Sequence, residues 1–259
     1  MARQFDIRRQ TGFTPIAIAC FVALYAPIIV LVIFSFSAAE NVSVWSGFTL
    51  EWYRKAAQNQ QVIDATLLSV KIAVSSAVFA TAAATFAALA TTRTDGYPGM
   101  TAKYAFINLP LMVPEIVTAV ALLILTARIK IWTGYSGIGC LIAAHAAFCI
   151  PFAYLPIRAR LESMDLTLER AAADLYATPL KVFRHITLPL LWPGIIAGFM
   201  LAFVISLDDV VITNFVKSGG QDTLPSYMLG QIIRSITPEI NAISTVFLGI
   251  SILIVTVFF

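Results

Sequence analysis

Long apolar runs separated by short polar segments set the pattern of this chain. Six runs are long enough to cross a bilayer as helices: residues 15–37, 66–92, 104–127, 138–157, 191–215 and 240–259. A helix needs roughly 20 predominantly apolar residues to traverse the hydrocarbon. No run alternates with period two, which argues against a membrane β-barrel. The pattern predicts an all-α polytopic membrane protein with six transmembrane helices. The first run is too long, and too far from a small-residue cleavage site, to be a signal peptide. Pro110 and Pro114 predict a kinked or broken third helix just before Glu115. Thr237-Pro238-Glu239 reads as a helix start, with Thr as N-cap, Pro at the first position and an acid in the first turn.

The intervening segments carry their own signals. Residues 38–65 hold Trp45, Gly47, Phe48, Trp52 and Tyr53, an aromatic density that predicts an interfacial belt or a short helix on the membrane surface. Asp95-Gly96 and Pro98-Gly99 mark turns in residues 93–103. Residues 216–238, with Gly219-Gly220 and Leu224-Pro225, are long enough to meet a partner outside the membrane. Ala and Thr dominate residues 80–92, where small side chains permit close helix packing. No internal repeat is visible, which weakens a secondary carrier built from inverted halves. The whole chain, 1–259, reads as a single transmembrane domain.

Within the loop 158–190, one long polar segment, 169–189, has a helical pattern. Ala171, Ala172, Ala173, Asp174 and Leu175 favour helix, and Pro179 allows a turn before a second helical run over residues 180–186.

Composition agrees with a membrane protein: 59% of residues are hydrophobic and 12% charged. The basic residues predict orientation. Arg3, Arg8, Arg9, Arg93, Lys103, Arg158, Arg160, Arg170, Lys181 and Arg184 fall on one side, and Arg54, Lys55, Arg128, Lys130, Lys217 and Arg234 on the other. Ten against six favours a cytoplasmic N-terminus and a cytoplasmic segment 158–190. A net charge of +3 then needs no nucleic-acid partner. Cys20, Cys140 and Cys149 lie in apolar runs and read as small hydrophobes; an odd count without CxxC spacing argues against a disulfide framework or zinc site. Phe259 stands inside an apolar run with no basic flank, an expectation that the native chain continues.

Ionisable residues in or near the runs are Lys71, Glu115, His145, Asp208 and Asp209. Lys71 can snorkel to the interface, and His145 reads first as a neutral histidine bonded to a neighbouring helix. Glu115, Asp208 and Asp209 fall in the middle-to-outer part of the bilayer at 1.5 Å of rise per residue. Adjacent helical residues point about 100° apart. Only one aspartate can therefore face a path squarely, and the other is left to bond a neighbour or cap a break. Pairing with Lys71 or with a partner subunit is the structural alternative. Three acids against one base leave a surplus of negative charge that suits a cationic solute.

Glu169–Pro189, ERAAADLYATPLKVFRHITLP, resembles the cytoplasmic loop of type I ABC importer permeases, whose pattern is E-A-A, three residues, G, nine residues, I-x-L-P. Counted back from Pro189, the family Glu falls on Arg170 (Glu169 precedes it), the Ala pair on Ala171 and Ala172, and the Gly on Tyr176. Ile186 and Leu188 keep their spacing. The resemblance implies that Glu169, Arg170, Ala171, Ala172, Asp174, Tyr176, Ile186, Leu188 and Pro189 couple to an ATPase, with Ala172 packed in its groove. A bulky residue is strained at φ > 0, so the Tyr176 departure predicts a loop that turns differently and lays its ring on the ATPase.

LMVPEIV (residues 111–117), SLDDVVIT (206–213) and TPEINA (237–242) are similar to the second membrane subunit of spermidine/putrescine permeases, as are YAPIIVLVIFSFS and GFTLEWY. The resemblance implies a bacterial inner-membrane importer with a homologous second permease subunit, a pair of ATPase subunits holding ATP and Mg, and a periplasmic binding protein. No cofactor is implied for this chain, which lacks G-x-x-x-x-G-K-[ST]. It also lacks H-E-x-x-H, G-x-S-x-G and any nucleophile–base pair, against an intramembrane enzyme. An ion-coupled carrier would use the acids but leaves the segment 158–190 unexplained.

Overall fold

A computed structural model describes residues 13–42, 44–93, 99–234 and 237–258. Arg3, Arg8, Arg9, Asp95-Gly96 and Pro98 lie outside the described residues. The elements are α1 (Phe13–Phe34), α2 (Glu51–Gln58), α3 (Gln60–Thr92), α4 (Met100–Met112), α5 (Glu115–Thr133), α6 (Ile138–Ser163), α7 (Thr167–Asp174), α8 (Pro179–Val182), a π-helical turn (Phe183–Thr187), α9 (Leu188–Asp208), α10 (Val211–Val216), α11 (Leu224–Arg234) and α12 (Pro238–Phe258). Among the described residues, six helical stretches have the length and apolarity to cross a membrane: 13–34, 60–92, 115–133, 138–163, 179–208 and 238–256.

The third expected span, 104–127, is broken just before Glu115 as its prolines predict: it is two helices parted at Val113 and Pro114, and its membrane-length piece is α5, which runs on to Thr133. Pro114 has no N–H to continue the ladder and constrains Val113 to extended backbone (φ −93, ψ 141). The fifth expected span needs correction: expected to run to 215, it ends at Asp208, because Asp209 is extended (φ −65, ψ 127) before α10 resumes.

The chain divides into two units. One comprises residues 1–60 and 230–255. In it α1 is apolar on every side and buries none of its residues, as suits a helix facing lipid or another subunit. The aromatic segment after α1 forms the short surface helix α2, anchored by Tyr53 OH with Ser35 Oγ (2.6 Å) and by Trp52 Nε1 donating to Ser37 O (2.9 Å). Phe36 packs between Phe48 and Tyr53, with ring centroids 5.4 and 5.1 Å away. Asn59 Nδ2 donates to Glu239 Oε1 (3.0 Å), tying the end of α2 to the first turn of α12, which opens on Pro238 as its sequence predicts.

The other unit, residues 61–229 with 256–259, holds the polar sites. Its centre is the pairing of α6 with α9. A Cβ on Gly194 would sit 2.6 Å from Arg160 Cβ, and one on Gly198 would sit 2.8 Å from Ala153 O. The G-x-x-x-G spacing therefore lets the two helices approach closely. Helix α3 lends a stripe of fully buried alanines (Ala73, Ala77, Ala80, Ala84, Ala88). Tyr154 of α6 is completely buried, with its OH 2.9 Å from Thr91 Oγ1 of α3. These contacts fix the ends of α3, α6 and α9, from which both sites are built.

Candidate functional site

The segment between α6 and α9 is held by a few polar contacts. Asp165 Oδ1 accepts from the Thr167 N–H (2.9 Å) and starts α7, and that hydrogen bond holds the Asp165 carboxyl below its ordinary value. Glu169 is the anchor. Arg93 Nε at the end of α3 donates to it (3.2 Å), and Thr187 Oγ1 donates to its Oε1 (2.9 Å). Arg93 Nη1 reaches on to Leu161 O of α6 (3.2 Å). The acid one residue before the expected motif position thus locks the helix to its own chain, while Arg170 is exposed.

The expectation of an altered turn at Tyr176 is overturned. Tyr176 has φ +61, the left-handed conformation open to the family's glycine, and is the one described non-glycine residue with positive φ. Helix α7 closes as a Schellman motif. Tyr176 N–H donates to Ala173 O (2.9 Å), and Ala177 N–H donates to Ala172 O (3.1 Å). Two orphan carbonyls are satisfied, which offsets the left-handed cost of about 1–2 kcal/mol. The Tyr176 ring is 97% exposed.

The two faces of α7 differ. Glu169 and Ala172, three apart, turn toward the chain and are half-buried. Leu168 (50% exposed), Ala171, Leu175 (82%) and Tyr176 form the outer apolar face, with Leu180 (74%) beyond. Asp174 is exposed, Ile186 and Leu188 are half-buried, and Pro189 is exposed in the first turn of α9. Pro189 also accounts for the π turn. Its ring cannot fit over a regular i−4 carbonyl, so the ladder widens and Leu188 N–H bonds Phe183 O.

The second cluster lies where both broken helices meet. Asp208 ends α9 and is exposed; Asp209, in the gap, is buried. The two side chains part at the break, where Asp209 turns extended. Asp209 Oδ1 accepts from Thr213 N–H (3.0 Å) and closes the first turn of α10. Glu115, at the start of α5, is exposed, and its carboxyl lies within interaction range of both Asp209 and Asp208. Along α5 it stands about 22 Å of rise from Lys130. Lys71 is exposed and joins no ion pair with these acids. Among the described residues no Lys or Arg lies within ion-pair distance of any of the three.

His145 is 1% exposed and bonded to neighbouring elements, with Nδ1 2.9 Å from Ser206 Oγ of α9 and Nε2 3.0 Å from Thr213 Oγ1 of α10. Sequence reasoning missed Arg93, Thr187, Ser206 and Thr213. Only the G-x-x-x-G of residues 194–198 left a readable signal for the framework around them.

Six membrane-length helices, two of them interrupted beside acids, and a helical segment held out between two crossings define a polytopic membrane permease. The chain belongs to the family of binding-protein-dependent transport system inner membrane components, which matches residues 101–259. It is 38% identical over 232 residues to the putrescine transport system permease protein PotI of Escherichia coli K12, covering 88% of this chain and 83% of that protein. It is 34% identical over 237 residues to the spermidine/putrescine transport system permease protein PotC of the same organism, covering 92% and 88%. Among solved structures, a bacterial ABC transporter involved in the import of the acidic polysaccharide alginate aligns with a TM-score of 0.72 at 15% identity, over 94% of this chain and 90% of that one. The MetNI methionine ABC transporter in an inward-facing conformation gives 0.64 at 16% identity, over 76% and 92%. These structures share the fold.

Proposed function

We propose that the chain is one of two homologous membrane subunits of an ATP-driven importer that carries putrescine, spermidine or a close polyamine across the bacterial inner membrane. The observation that carries the reading is the meeting of Glu115, Asp208 and Asp209 at two helix breaks with no Lys or Arg within ion-pair distance among the described residues. Carboxylates without a cation of their own suit a cationic cargo. Relatives named for putrescine and spermidine transport support the same choice. An alginate importer has this fold as well, so the sign of the cargo follows from the site and not from the architecture.

In this reading the N-terminus and residues 158–190 are cytoplasmic, as the basic residues favour. Leu168, Ala171, Leu175 and Tyr176 seat in a separate ATPase subunit, one of a pair that binds ATP and Mg. Glu169, braced by Arg93 and Thr187, transmits the push to the ends of α3 and α9. A periplasmic binding protein delivers the amine, ATP binding turns the path outward, and hydrolysis resets it. Differential contacts of the ATPase pair in the two states supply the bias.

Co-expression with the second permease subunit, ATPase and binding protein tests this. Purification by a tag on this chain should recover the ATPase, and vesicles should accumulate labelled putrescine only with ATP. Uptake driven by an ion gradient without ATP would sink the proposal.

A further inference from the structure

A groove of about 480 Å³ runs between the end of α3 and the start of α4. Ala87, Ala90 and Thr91, three and four residues apart, line it from one face of α3. Ala102, Lys103, Phe106 and Ile107 line it from α4. Thr91 presents no spare hydroxyl, because its Oγ1 already lies 2.9 Å from Ala87 O and 2.9 Å from Tyr154 OH. Tyr104 holds the two helices at this spacing. Its OH donates to Thr91 O (2.8 Å), and the Arg158 guanidinium of α6 stacks on its ring at 4.2 Å. The groove is therefore preformed, with small alanines on a braced frame.

Its chemistry is divided along its length. Alanine, phenylalanine and isoleucine supply an apolar channel, and Lys103 supplies a cation at one end. That end is also the N-terminal turn of α4, which starts after Gly99, where orphan amides and the helix dipole favour an anion. The acids Glu162 and Glu169 are matched to Arg158 (2.7 Å) and Arg93 (3.2 Å), so neither acts as an unpaired charge. An apolar channel with an anion-seeking mouth suits an amphiphile with a negative head. A transmembrane helix is the competing occupant, but close helix packing needs small residues along the whole contact. Farther along, the same two helices expose the bulky Phe86, Leu109 and Met112. A flexible acyl chain fits between such side chains, and a helix does not.

We propose that this groove binds an anionic phospholipid, with the phosphate at Lys103 and the first turn of α4 and one acyl chain along Ala87, Ala90, Phe106 and Ile107. Placing the headgroup in the cytoplasmic leaflet rests on the cytoplasmic N-terminus proposed above; the site itself does not.

The test uses the assembled importer in phosphatidylcholine vesicles that carry a trace of photoactivatable lipid, with peptide mass spectrometry as readout. The probe is phosphatidylglycerol or phosphatidylcholine with a diazirine on one acyl chain. The phosphatidylglycerol probe should label peptides spanning 87–90 and 106–107 at least fivefold more than the phosphatidylcholine probe. Excess unlabelled phosphatidylglycerol should compete, and inorganic phosphate should not. Lys103→Glu should cut the preference below twofold and leave phosphatidylcholine labelling unchanged. Ala90→Phe, which fills the groove from an exposed position, should cut labelling by both probes at least fivefold. Equal labelling by the two probes in the native chain overturns the anionic site, and a preference that survives Lys103→Glu overturns its headgroup contact. Competition by inorganic phosphate makes a free anion the ligand and overturns the lipid. Labelling by neither probe overturns lipid binding, and a disulfide between Ala90→Cys and a cysteine on the second membrane subunit then identifies a helix as the occupant. Orientation is read separately. A membrane-impermeant maleimide should reach Thr101→Cys only after spheroplasts are lysed; reaction in intact spheroplasts, with groove labelling preserved, overturns the proposed orientation and leaves the lipid site standing.

Discussion

Tyr176 shows how far a single position can be read from sequence. Its alignment with a family glycine was legible, and so was the cost of a bulky residue at positive φ. What the sequence could not show was that the two carbonyls ending α7, Ala172 O and Ala173 O, are satisfied only if Tyr176 turns left-handed. The backbone demand prevails over the side-chain preference. Tyr176→Gly should therefore relieve about 1 kcal/mol of local strain. Hydrogen exchange at the Tyr176 and Ala177 amides should slow by a few fold, and faster exchange would contradict the strain argument. Tyr176→Ile should speed it, since β-branching is worse at this φ. Asp209 makes the complementary case. The adjacent acids were visible, and so was the option that one of them caps a break, but the place of the break before D-V-V-I-T-N-F-V has no proline or glycine to mark it.

At the scale of elements, composition made the six membrane helices legible because bilayer thickness imposes a length that chance seldom produces. Proline made the α4–α5 break legible, since a missing donor acts locally. Helix pairing was harder to see, because G-x-x-x-G reports only that some helix comes close. Gly198→Leu tests the pairing. A side chain there meets Ala153 O at 2.8 Å from its first atom, so α6 and α9 must separate. The cost should be about 1–3 kcal/mol, read as lower thermal stability of the purified complex. A wild-type melting profile would mean that α9 packs elsewhere. The faces of α7 yield a second prediction at this scale. Leu175→Asp should leave stability unchanged and reduce substrate-stimulated ATPase activity at least tenfold, because Leu175 is 82% exposed. Ala172→Asp instead sets a charge beside Glu169 on the inward face and should loosen the segment itself, seen as faster proteolysis between α6 and α9. If Ala172→Asp uncouples without loosening the segment, and Leu175→Asp does nothing, the faces are assigned the wrong way round.

For the whole molecule, the proposed function has the two sites divide the work of a permease. One is a braced helix with an apolar outer face, suited to receive force; the other is a set of acids at two broken helices, suited to a cation in transit. Glu169 anchors the first to α3 and the π turn, and the pairing of α6 with α9 carries rigid structure from one site toward the other. The central claim is that the carboxylates act on the charge of the cargo. Charge is isolated by Glu115→Gln, Asp208→Asn and Asp209→Asn, which keep size and most hydrogen bonding. The most direct measurement is ATP-dependent uptake of labelled putrescine by the reconstituted importer carrying each of these variants, with basal ATPase activity as the control for assembly. The account predicts at least a tenfold loss in Asp209→Asn, a severalfold loss in Glu115→Gln and in Asp208→Asn, and unchanged basal ATPase activity throughout. Normal putrescine uptake in all three variants would contradict it.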